Sequence, residues 1–253
     1  MAAQPPQVVS LPADNSIARV GRPLVIVAHD TEGVDSRNTL QHGDGRGVSI
    51  HCLIQKFPRA NHTTDVLPGL PPRTSGVVVY RMVPDERGAN HAGFSTWTYQ
   101  GKTYTPSGVN VNAISLGFEL ECKGKSDPTD HYTDDQLLAA GWLINLWRAK
   151  YGPTPLVRHA EIDPTRRSDT FHLSTAELEK WATAAALVYA SPLIRTVKAG
   201  PRGAIAQQDR RPDAPTAGLW YPPGSWIQCD DLTAGYWHAQ DGVGFIPRGQ
   251  VEE

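Results

Sequence analysis

His29, His159 and Asp169 are residue types that hold transition metals, and the chain puts each where a fold could use it. His29 closes the continuous apolar run Leu24 to Ala28, His159 follows Leu156-Val157-Arg158, and Asp169 lies ten residues further on across a loop containing Pro and Arg. Two imidazoles and a carboxylate make an open catalytic zinc set, in which three protein ligands leave a fourth position for water. Borderline-soft zinc accepts that mixture, whereas calcium and magnesium prefer oxygen ligands throughout. The chain has nine histidines, so ligand chemistry alone does not select these two. A proton-transferring carboxylate is available at Glu119 or Glu121, and strand alternation puts both on one face, which leaves the choice open.

The elements around these residues follow from periodicity. Leu24 to Ala28 suits a central strand that delivers polar groups from its C-terminal end. Val48 to Ile54 and Val77 to Val83 are β-branched runs of strand length, separated by a stretch rich in Pro, Gly and Asn from about Lys56 to Ser75 that reads as an inserted loop. Ile114 to Glu121 alternates, with Leu116, Phe118 and Leu120 on the core face and Ser115, Gly117, Glu119 and Glu121 on the other. Thr133 to Gln136 and Ser174 to Glu177 are capping boxes that open helices. The first helix runs through Ile144 and stops at Tyr151-Gly152-Pro153; the second presents a stripe of Leu178, Trp181, Ala185 and Val188. Strands with helices packed against them give an α/β fold with a mixed central sheet.

Composition narrows the partners. At 253 residues with a net charge of −2, the chain has no basic excess to attract nucleic acid or an anionic membrane surface. No stretch is apolar for membrane-span length, and the opening MAAQPPQVVSLPADN has neither a basic nor an apolar signal region, so synthesis in the cytoplasm without a leader is expected. Three scattered cysteines lack CxxC spacing and read as reduced thiols. The expected organisation is an N-terminal extension over 1–20, a catalytic domain over 21–190, a linker rich in Pro, Gly, Arg and Asp over 191–217, and a small β-rich segment over 218–253.

Six segments in order, VIVAHDTEG, VSIHCLI, YRMVPDERGANHAG, VNAISLGFELE, YTDDQLLAAGWLI and VRHAEIDPTRRSDTF, resemble the amidase-2 family, zinc-dependent N-acetylmuramoyl-L-alanine amidases related to peptidoglycan-recognition proteins. The resemblance covers residues 24–172 and implies that fold. It assigns one zinc ion to His29, His159 and Asp169, and it selects Glu119, in Gly-Phe-Glu, as the acid/base. Where the family has Lys two residues before the ligand Asp, this chain has Arg167, whose planar fork approaches a single oxygen differently. The Asn90-His91-Ala92-Gly93 segment matches one that lines the substrate groove, which makes His91 a substrate-side group by resemblance.

The implied reaction is hydrolysis of the amide joining N-acetylmuramic acid to L-alanine, in bacterial peptidoglycan or its muropeptides, by a monomer. A leaderless chain of this kind resembles a phage endolysin that reaches the wall through a holin; a muropeptide-recycling enzyme is the competing setting. Two other readings stand beside the amidase. One is a non-catalytic peptidoglycan-binding protein of the same fold, which the four filled positions disfavour. The other is a zinc peptidase cutting within the stem peptide. The aromatics Trp220, Tyr221, Trp226, Tyr236, Trp237 and Phe245 resemble those of small wall-binding β-barrels, with burial against the main domain as the plain alternative.

Overall fold

The computed structural model describes residues 6–33, 36–57 and 76–189, together with the backbones of seven strands further on. Two compact units divide the chain, Met1–Tyr189 and Ala190–Glu253.

In the first unit the elements run β1 (Gln7–Ser10), β2 (Ile17–Ala18), β3 (Val25–Asp30), α1 (Arg37–His42), β4 (Cys52–Phe57), β5 (Gly76–Arg81), β6 (Arg87–Gly88), β7 (Trp97–Tyr99), β8 (Lys102–Tyr104), α2 (Val111–Ile114), β9 (Ser115–Leu120), α3 (Asp134–Tyr151), β10 (Leu156–Arg158), α4 (His159–Ile162) and α5 (Thr175–Val188). Six strands form one sheet in the order β1-β5-β4-β9-β3-β10. It is mixed, because β5 pairs antiparallel with β4 while every other neighbouring pair is parallel. Gln7–Ser10, assigned from sequence to an N-terminal extension, is the edge strand of this sheet, paired with β5.

Both faces of the sheet are covered, which explains why β3 is buried along its whole length. Ile26, Ala28, Leu116, Phe118 and Leu120 pack under α3 and α5 with Leu143, Ile144 and Trp147. Val25 and Val27 lie on the opposite face with Val111, Ile114, Trp97, Tyr104 and Ile162. A further cluster under α1 joins Leu40 to Ile50, Leu53, Val78 and Tyr80.

The helices begin where their capping boxes predict. Thr133 and Ser174 accept from the backbone of Gln136 and Glu177, whose side chains return to the N-cap backbone. The buried stripe of α5 differs from the expected one: Leu178, Ala182 and Ala185 are buried while Trp181 is only partly so. The cause lies on α3, where Gly141 lets the helices close until a Cβ there would sit 2.3 Å from the Trp181 carbonyl oxygen. The small side of α5 therefore faces the seam, and the indole is turned to its margin.

β4 and β5 pair as expected from sequence, and most of the loop expected between them, 58–75, lies outside the described residues. The second unit is a seven-stranded antiparallel sheet: β11 (Arg195–Ala199), β12 (Ala204–Gln207), β13 (Thr216–Tyr221), β14 (Trp226–Thr233), β15 (Tyr236–Ala239), β16 (Phe245–Pro247) and β17 (Val251–Glu252), ordered β13-β12-β16-β15-β14-β11-β17. Two of its strands fall within 191–217, the range expected as a linker. Arg195–Ala199 pairs with β14 and β17, and Ala204–Gln207 with β13 and β16, so backbone hydrogen bonding draws both segments into the sheet. The aromatic side chains of this unit lie outside the described residues.

Candidate metal centre

The parallel strands β3, β9 and β10 aim their C-terminal ends at one place. His29 is the fifth residue of β3, and its register partner on β9 is Glu119. Paired residues on neighbouring strands point to the same face, so Ser115, Gly117 and Glu119 line up beside Val25, Val27 and His29. β10 pairs with β3 through Arg158, and the next residue, His159, opens α4 at the same end of the sheet. Asp169 comes from the loop before α5, where its carbonyl accepts from the Ala160 N–H at 2.9 Å.

These elements bring three sequence-expected residues together. His29 Nδ1 lies 3.0 Å from His159 Nδ1 and 3.2 Å from Asp169 Oδ2, and His159 Nδ1 is 3.1 Å from the same oxygen. All three residues are buried, at 2%, 2% and 3% exposure. Protons serve this triangle poorly: each Nδ1 carries either a hydrogen or a lone pair and the carboxylate oxygen only lone pairs, so along at least one of the three sides two lone pairs or two N–H groups oppose each other. A small cation would satisfy all three atoms, and tetrahedral zinc at about 2.0–2.1 Å from each nitrogen spaces its ligand atoms roughly 3.3 Å apart. The donor set and its spacing fit such an ion.

Electrostatics agree with that fit. Burial lowers the His29 pKa to about 4, with the neighbouring His159 adding to the effect, so the ring is neutral and offers a lone pair at neutral pH. Burial alone would raise the Asp169 carboxyl, but the ring nitrogens of His159 and His29 beside it hold it well below the usual range as an anion. Glu119 is pushed the other way: burial first, then the charges of Asp169 and Asp30, raise its pKa well above the usual value. Its Oε2 is sealed from solvent with no partner.

The structure separates the two carboxylates that alternation left equivalent. Glu121 is fully buried and Oε1 accepts from Gln55 Nε2 at 3.1 Å; Gln55 Oε1 in turn accepts from the Tyr80 hydroxyl. Glu119 instead feels Asp169, Asp30 and Arg167. Arg167 is exposed on the loop, and its charge reaches both Glu119 and His29. The salt bridge to buried Asp163 belongs to its neighbour Arg166, whose guanidinium also lies 5.4 Å over the Phe94 ring.

His91, expected on the substrate side, has both ring nitrogens engaged within the protein. Nδ1 is 2.8 Å from His29 Nε2, and Nε2 is 2.9 Å from Ser115 Oγ. His51 lies behind it, buried and neutral, accepting from the Gly117 N–H at 3.1 Å. His131 and His172 form a ring pair 4.6 Å apart.

Asp30 carries a positioning role that sequence reasoning did not assign. Its Oδ2 accepts from the Tyr132 hydroxyl at 3.0 Å and the Phe171 N–H at 2.9 Å, tying β3 to the loop that bears Asp169. Burial raises its pKa to about 6. The only sequence signal was its place beside His29 at a strand end.

The family described as N-acetylmuramoyl-L-alanine amidase, Amidase_2, matches residues 19–170. No curated protein matches the chain. Among solved structures, a selenomethionine derivative of AmpD is 22% identical over 71% of this chain and 95% of its own, with a TM-score of 0.49. The AmiD amidase of E. coli, in complex with anhydro-N-acetylmuramic acid-L-Ala-D-γ-Glu-L-Lys, is 29% identical over 65% of this chain and 59% of its own, with a TM-score of 0.44. The Ph2119 endolysin of a Thermus scotoductus bacteriophage is 17% identical over 69% of this chain and 98% of its own, with a TM-score of 0.47.

Proposed function

The chain belongs to the amidase-2 family of N-acetylmuramoyl-L-alanine amidases, and from that premise we propose that it hydrolyses the amide between N-acetylmuramic acid and L-alanine in bacterial peptidoglycan, using one zinc ion held by His29, His159 and Asp169. The observation that carries the metal part is the triangle of two ring nitrogens and a carboxylate oxygen 3.0 to 3.2 Å apart. Zinc, when bound, supplies Lewis acidity, polarising the scissile carbonyl and making a water more acidic.

The protein's own groups do the rest. Glu119 takes a proton from the attacking water as a carboxylate and, protonated at Oε2, returns it to the leaving amine. Its raised pKa suits the second half of that cycle, because the carboxyl holds a proton closer to neutral pH than an exposed Glu would. Arg167 places a fixed positive charge beside the site, which favours negative charge developing on the carbonyl oxygen. Asp30 keeps the loop of Asp169 in register with β3 through its bond to the Phe171 N–H.

Mass spectrometry of digested sacculi tests the bond. Intact stem peptides with a free N-terminal alanine support the amidase, while cleavage inside the stem would establish a zinc peptidase instead. A protein that binds sacculi and releases nothing, even with zinc supplied, would be a non-catalytic relative. The biological setting we propose is a phage lysin acting on the wall as a monomer, with the second, all-β unit as a candidate wall-binding module. Among the described residues no helix is long and apolar enough to cross a membrane; in the phage setting a holin-type partner would provide passage to the wall. Purified protein should clear suspensions of permeabilised cells; activity restricted to soluble muropeptides would point to recycling.

A further inference from the structure

We propose that His91 is a positioning residue for the metal centre: with Ser115 behind it and Gly117 beneath it, it fixes the tautomer and orientation of His29. The proposal rests on the zinc reading above and extends it to a residue that would not touch the ion or the substrate.

Three observations converge on it. His91 bridges His29 Nε2, at 2.8 Å, and Ser115 Oγ, at 2.9 Å, so both of its nitrogens are used inside the protein. Its ring lies directly against Gly117, where a Cβ would come within 2.6 Å of both Cε1 and Nδ1. Its backbone is fixed as well: the N–H groups of His91 and Ala92 both donate to the buried Asn112 Oδ1, at 3.1 and 2.6 Å, and the Asn90 N–H donates to Ser49 Oγ at 2.9 Å. A loop clamped at three consecutive amides carries a ring clamped at both nitrogens.

Proton placement gives this arrangement its consequence. A neutral imidazole has one N–H and one lone pair. For His29 to direct its lone pair at Nδ1 towards the ion, its proton must sit on Nε2, and there it donates to His91 Nδ1. His91 then carries its own proton on Nε2 and donates to Ser115 Oγ. With the ion on Nδ1 the order runs one way, from the ligand into the sheet; a proton on His29 Nδ1 would require the whole chain to reverse, with Ser115 Oγ donating to His91 Nε2 and His91 Nδ1 donating to His29 Nε2. Partners of this kind orient ligating histidines and raise their basicity, and their loss typically weakens metal binding by about 10–100-fold.

The test measures zinc affinity by competition with a chromogenic chelator, for the full chain and its His91→Leu, His91→Asn, Ser115→Ala and His159→Ala variants. His91→Leu should bind zinc about 10–100-fold more weakly, and Ser115→Ala should weaken it in the same direction by less. His91→Asn should recover most of the wild-type affinity, because an Asn Oδ1 stands where Nδ1 stood and still accepts from His29, whereas a packing role would leave both variants equally impaired. Imidazole 15N spectra of the zinc-loaded proteins give a second readout, in which the His29 Nε2 proton is protected from solvent exchange in the wild type and exchanges faster in His91→Leu. Wild-type affinity in His91→Leu, or equal losses in the Leu and Asn variants, would overturn the proposal. Absence of zinc uptake by the wild type, or unchanged uptake in His159→Ala, would instead bring down the metal reading on which it stands.

Discussion

Replacing Glu119 by Gln removes one ionisable proton from the site and little else. The side chains are nearly isosteric, Oε2 is sealed without a partner, and β9 keeps its register with His29. A positioned general acid/base contributes about 10²–10⁴-fold, which at about 1.4 kcal/mol per decade is roughly 3–5 kcal/mol of barrier. Turnover on purified sacculi should therefore fall by about that factor, with zinc content unchanged because the three ligand atoms are untouched.

Stability should respond with the opposite sign. The folded pKa of Glu119 is raised by burial and by Asp169 and Asp30, so the native state binds its proton more tightly than the unfolded chain does. That group's contribution to stability is present below the unfolded pKa and is lost as pH rises through the folded one. Gln has nothing to deprotonate, so the variant should melt at or above the wild-type temperature, with the gap widening from pH 5 to pH 8. The assays are free-amine release from sacculi, zinc analysis, and scanning calorimetry at the two pH values. Activity within tenfold of wild type, in a variant that retains zinc, would refute the assignment of proton transfer to Glu119.

Other expectations are independent of that one. Asp169→Ala and His159→Ala should each abolish stoichiometric zinc and lytic activity; a fully active variant of either would remove that residue from the ligand set. Chelator treatment should silence the enzyme and added zinc restore it, and activity that survives metal-free dialysis would exclude the metal mechanism. Gly141→Ala should cost about 1–3 kcal/mol, a fall of roughly 2–12 °C in Tm, because the new methyl meets the backbone of Trp181 and Ala182; an unchanged melting curve would mean that the helices separate at no cost. His51 is held neutral by burial, with the Arg19 charge second, at a pKa of about 3. The unfolded chain therefore binds the extra proton below about 6.5, and stability falls as pH drops through that window by about 1.4 kcal/mol per unit. His51→Asn should flatten the urea-derived stability between pH 7 and pH 5 by about 2 kcal/mol, and an unaltered slope would show that His51 does not titrate on unfolding.

The sequence by itself determined those features that depend on local pattern. The apolar run ending at His29 required a buried strand, the alternation of Leu116, Phe118 and Leu120 set the core face of β9, and the capping boxes at Thr133 and Ser174 set where α3 and α5 begin. Six ordered segments identified the family, and with it the residues to watch. Long-range approach was beyond local pattern, because it depends on which strands become neighbours. Pairing of β3 with both β9 and β10 brings His29 within 3.0 Å of a histidine 130 residues away. The same packing gives Glu121 to Gln55 and leaves Glu119 facing the charges of Asp169 and Asp30, a distinction between two carboxylates on one face that periodicity cannot make. It also turns His91 inward over a glycine. Whether a loop histidine meets solvent or His29 is decided by the space beneath its ring, which Gly117 leaves free once β9 lies beside β3.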